Sequence, residues 1–167
     1  MLAYNMKSVL FHYRVTLGLF IIGLVISGLT TFPLRFELSV LTHIFTRSAS
    51  NHTFPHGLAR WIQFVDSGVR ETYSRFPFFG YATDWLGFGH FVIAAFFILP
   101  FMNPERYRAV LYIGLAACGG VILVALICGR LRGIPLYWQF IDCSFGVFGA
   151  APLIYCLRLT KRTENVA

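Results

Sequence analysis

Charge is what this sequence has least of. Only 13% of its 167 residues are Asp, Glu, Lys or Arg, and just 7 are acidic. Soluble domains carry about twice that charged fraction. With 57% hydrophobic residues and a mean hydropathy of +0.67, the chain has too little polar material to cover a water-facing surface. The catalytic signatures of soluble enzymes are missing as well. There is no Gly-x-Ser-x-Gly nucleophile elbow, no P-loop and no His-Glu-x-x-His.

Thiols and imidazoles are also few. Cys118, Cys128, Cys143 and Cys156 form no Cys-x-x-Cys pair, so a quinone-linked dithiol oxidoreductase lacks its motif. Zinc-ligand spacing is absent, and no metal site is expected. Haem b in a small membrane cytochrome needs two histidines on facing helices. Only His12 and His90 lie near span ends, and they are expected at opposite membrane faces. A second ligand would have to come from His43, His52 or His56. The cofactor is therefore left unknown, with haem b the one weighed. No internal repeat, low-complexity tract or second domain is visible.

Long apolar runs are what the chain does have. Four of them, at about 11–32, 86–103, 108–128 and 138–157, match the roughly 20 residues that cross a hydrocarbon layer. The first is too long, and lacks the small-residue cleavage pattern, for a removable signal peptide. These features predict an all-α integral membrane protein. Its expected form is a four-transmembrane-helix bundle, one membrane domain over residues 1–167, with an outer loop at 33–85. Within that loop Leu58, Trp61, Ile62, Val65, Val69 and Tyr73 recur at helical spacing. Arg60, Gln63, Asp66, Arg70 and Glu71 fall on the other side. This pattern predicts an amphipathic interfacial helix between spans one and two.

The net charge of +7 would suggest nucleic acid in a soluble protein. Here the basic residues sit mainly at span ends: Lys7 and Arg14, Arg106 and Arg108, then Arg158, Lys161 and Arg162. An even number of spans puts these groups on one side, which the positive-inside rule makes cytoplasmic. The expected setting is a bacterial inner membrane with both termini inside. The partners are then the lipid bilayer and other membrane subunits rather than nucleic acid.

Given that topology, Glu37, Asp84, His90, Arg130, Arg132, Gln139, Asp142 and Ser144 fall near the outer ends of spans. Ionisable groups at membrane depth pair with one another or line a pathway. Asp84, His90 and Asp142 are the candidate catalytic groups. Asp84 could equally cap a helix start beside Thr83, and Asp142 could pair with an arginine. Arg130, Arg132, Gln139 and Ser144 are candidate binding residues, although both arginines also suit headgroup anchoring. Cys128 and Cys143 flank the third loop and form a candidate disulfide, with free buried thiols as the alternative. Gly23 and Ser27 in span one form a small-xxx-small pair for close helix approach.

The Asp84…His90 pair and the Asp142…Gly146…Gly149 helix resemble those of glycopeptide-resistance membrane proteins of the VanZ type. The acid–histidine spacing differs and the intervening acidic and glutamine positions are missing, so the resemblance implies no activity. Three functions stay open. The first is a non-catalytic subunit or assembly partner of a membrane complex. The second is a small enzyme acting on a lipid or isoprenoid headgroup at the outer leaflet. The third is a haem- or quinone-linked electron carrier.

Overall fold

The computed structural model describes residues 2–49 and 56–164. Its six helices are α1 (Leu2–Thr30), α2 (Leu34–Ala49), α3 (His56–Arg75), α4 (Phe78–Met102), α5 (Arg108–Leu131) and α6 (Leu136–Glu164). Lys7–Thr30 of α1, all of α4 and α5, and Leu136–Lys161 of α6 are long and apolar enough to cross a membrane. The chain is thus all-helical with four candidate spans. Two compact units divide it: residues 1–23 with 93–167, and residues 24–92.

Prolines set several of the boundaries. Pro33 accepts the first bonds of α2 from Phe36 and Glu37 N–H (2.8 and 3.0 Å), and Pro135 does the same for α6 from Trp138 and Gln139. Pro77 starts α4, where its missing N–H costs no helical bond; the Gly80 N–H returns to its carbonyl at 3.0 Å. The second span therefore begins at Phe78, eight residues before the expected start near 86. The aromatic segment Phe78–Tyr81 is its first turn.

The first unit holds α1 as far as Gly23, α4 from Ile93, and all of α5 and α6, with α5 packed on α6. The core is formed by Tyr13, Leu17, Phe97, Leu111, Leu153 and Cys156, all at most 4% exposed. Glycines bring α5 and α6 together. A Cβ on Gly114 would meet the Phe97 ring at 2.5 Å and Leu153 at 2.9 Å, and one on Gly146 would meet the Cys118 carbonyl at 2.6 Å. In lipid, this packing replaces the hydrophobic drive that water supplies elsewhere. Large apolar side chains such as Leu19, Ile113 and Phe148 point outward, as lipid-facing positions do.

In the second unit, α2 packs on α3, with Leu38, Ala59 and Ile62 buried. Asp66, expected on the polar side of α3, is only 8% exposed. It lies four residues after Ile62 and so shares that face, and Arg70 one turn later neutralises it at 3.0 Å. The last turn of α1 crosses α4 at Gly28 and Gly87. A Cβ on either would come within 3 Å of the other's carbonyl. Gly28 thus provides the close approach expected of Gly23, which has nothing within 4 Å.

Candidate functional site

Asp84 and His90 belong to the unit of residues 24–92, and Arg130, Arg132, Gln139, Asp142 and Ser144 to the other. The turn between α5 and α6 is built from Gly129 to Gln139. Gly133, with φ of +68°, takes the left-handed position that ends α5. Its N–H returns to the Arg130 carbonyl at 3.2 Å, and Ile134 N–H returns to that of Gly129 at 2.9 Å. These two bonds define a Schellman motif, which satisfies the terminal carbonyls of α5.

Gln139 locks this turn from the other side. It is 2% exposed, and its Nε2 donates to the Ile134 carbonyl at 2.7 Å. Its Cγ lies where a Cβ on Gly129 would be, at 2.8 Å. Gln139, a candidate binding residue, thus makes a bond within the hairpin through Nε2, while its buried Oε1 has no hydrogen-bond partner. Ser144 is similarly occupied, its hydroxyl donating to the Ile141 carbonyl one turn back at 2.6 Å.

Asp142 is half-buried on α6, one turn after Gln139 and one before Gly146. Arg130 and Arg132 are exposed at the turn. None of these three joins an ion pair; those among the described residues are Asp66–Arg70 and Glu71–Arg75. Asp142 is therefore not paired with a cation among the described residues. Cys128 and Cys143 are free thiols, and Cys143 Sγ points to the Ile122 carbonyl at 4.0 Å.

Asp84 and His90 both lie on α4, on different faces of the helix. Six residues on a helix amount to about 120° of rotation and 9 Å of rise. His90 faces the Gly28 crossing, where its Cβ lies 3.0 Å from the position a Gly28 Cβ would take. Its Nδ1–H donates to the Leu86 carbonyl at 2.8 Å. His12 makes the same bond to the Ser8 carbonyl. Of the loop histidines considered for haem, His43 is exposed on α2, His52 lies outside the described residues, and so does the side chain of His56.

Asp84 instead lines a cleft of about 510 Å³ with Phe32, Pro33, Arg35, Phe36, Tyr73, Pro77, Gly80, Tyr81 and Thr83. Because α4 starts at Phe78, Thr83 and Asp84 sit in its second turn and neither caps it. Thr83 Oγ1 donates to the Gly80 carbonyl at 2.7 Å and meets the Tyr73 hydroxyl at 3.2 Å. This pair fixes the end of α3 against the start of α4. Among the described residues, no group of three His, Cys, Asp or Glu side chains is placed to hold a metal.

Comparison with protein families, curated proteins and solved structures gives no match.

Sequence reasoning missed Arg35 and Tyr73 of the cleft, and it missed Tyr13. Tyr13 is 1% exposed and its hydroxyl donates to the Pro100 carbonyl at 3.0 Å. A signal for this bond was present. Pro104, four residues after Pro100, has no N–H to offer that carbonyl, so a donor from elsewhere was required.

Proposed function

We propose that this chain is a non-catalytic subunit or assembly partner of a larger membrane complex, set in a bacterial inner membrane with both termini cytoplasmic. The observation that carries this reading is an open small-residue face on α5. Six glycines in the spans (28, 87, 114, 129, 146 and 149) meet a neighbour within 3.1 Å of an added Cβ, whereas Gly119 and Gly120, like the isolated Gly23 and Gly89, meet nothing within 4 Å. Ala116 and Ala117 beside them are exposed. Small residues favour close approach by another helix, and lipid chains fill such a surface poorly. The α3 helix, with Ala59 and Ile62 buried and Arg60 and Gln63 outward, suits an amphipathic helix lying on the outer membrane surface.

The candidate acids and His90 also support a non-catalytic role. Asp84 and His90 diverge around α4, and Gln139 Nε2 and the Ser144 hydroxyl donate to backbone carbonyls. The test is extraction of the full chain from native membranes in mild detergent, followed by mass determination. Stoichiometric protein companions that are lost on Gly120→Leu are expected. Recovery of a lone chain, or of companions indifferent to that change, would overturn the reading.

A further inference from the structure

The cleft at the start of α4 holds one cation and one anion that do not pair with each other. Arg35 is exposed and Asp84 half-buried, and neither forms an ion pair among the described residues. We propose that this cleft binds the phosphate–ammonium zwitterion of a phospholipid headgroup, with Arg35 on the phosphate and Asp84 on the ammonium. The inference is independent of whether the chain has protein partners.

Three physical arguments converge on that ligand. A guanidinium holds a phosphate by paired, charge-assisted hydrogen bonds. Asp84 would repel a ligand that is only anionic, just as Arg35 would repel one that is only cationic; a ligand carrying both signs satisfies both groups. The aromatic side chains of Phe36, Tyr73 and Tyr81 line the same space, and aromatic rings attract ammonium groups. The Tyr73–Thr83 contact at 3.2 Å holds one wall of the cleft in place.

Location selects the lipid as the source. The lining residues 32–36 follow directly on the candidate span of α1, and residues 77–84 surround the start of that of α4. The cleft therefore opens at the boundary where headgroups are concentrated. Free phosphoethanolamine has the same chemistry and is the competing source.

The test is native mass spectrometry of the purified, delipidated full chain with phosphatidylethanolamine or phosphatidylglycerol added at equal concentration. The wild type should retain the zwitterionic lipid about tenfold better, a difference of roughly 1.4 kcal/mol. Asp84→Asn should abolish that preference while Asp84→Glu keeps it, and Arg35→Gln should weaken retention of both lipids. Excess free phosphoethanolamine should compete only weakly; binding as tight as the lipid's would overturn the lipid assignment. Equal retention of the two lipids by the wild type, which requires no variant to fold, would overturn the site itself. So would a preference that survives Asp84→Asn.

Discussion

The Tyr13 hydroxyl donates to the Pro100 carbonyl at 3.0 Å across 87 residues of sequence. The reason lies in two prolines four residues apart. Pro104 cannot donate to the carbonyl that an uninterrupted helix would have satisfied, and Tyr13 supplies the missing proton. Cys156 Sγ in turn approaches the Tyr13 carbonyl at 3.8 Å, so one residue connects α1, α4 and α6.

Tyr13→Phe should destabilise the protein by about 1–3 kcal/mol, the cost of leaving a buried carbonyl unpaired. Thermal or denaturant unfolding in detergent measures it. In a Pro104→Ala background, where residue 104 regains its N–H, the same change should cost clearly less. An equal cost in both backgrounds would remove this explanation.

Gly129→Ala should lower stability by about 1–3 kcal/mol through overpacking against Gln139. The added methyl has no room because Gln139 Cγ and Cδ would lie 2.8 and 2.9 Å away. Gln139→Ala should make the second change nearly harmless, giving a strongly non-additive pair.

The two glycines that frame Phe88 should behave oppositely. At Gly87 an added Cβ would strike the Gly28 carbonyl at 2.8 Å and the Thr31 hydroxyl, so Gly87→Ala should impair folding. At Gly89 the space is open. Gly89→Ala should be neutral or stabilising by up to about 1 kcal/mol, the helix-propensity difference between the two residues. Parallel melting curves decide this.

Asp142→Asn and Arg132→Gln should add independently, with coupling below about 0.5 kcal/mol, because no ion pair joins the two side chains. A larger coupling in a double-mutant cycle would show that they pair in the membrane.

A single reporter settles the orientation. In a cysteine-free background, Arg132→Cys places a thiol at an exposed site in the α5–α6 turn. An impermeant thiol reagent added to intact cells should label it if both termini are cytoplasmic. Labelling only after lysis would invert that orientation.

Some of these relationships could be read along the chain. The four apolar runs and the turn prolines report local physics: hydrocarbon thickness sets span length, and proline's missing N–H sets where helices begin. Asp66 shows where such reading stops. Its neighbours in sequence place it on a polar face, yet α3 packs on α2 along the side that holds it. Asp84 could be identified as unusual, but not that α4 begins six residues earlier and brings it into a cleft with Arg35.

The sequence by itself determined an all-helical chain with four segments able to cross a membrane, because length and apolar content suffice for that. It could not decide which glycines would be filled. Gly23 and Gly28, or Gly87 and Gly89, are equivalent by local chemistry. Only the crossing of α1 over α4 selects Gly28 and Gly87. The tertiary structure likewise gave Gln139 to Ile134 and Tyr13 to Pro100. A buried polar group takes whichever partner packing brings within 3 Å or so, and that choice is made between helices, not along them.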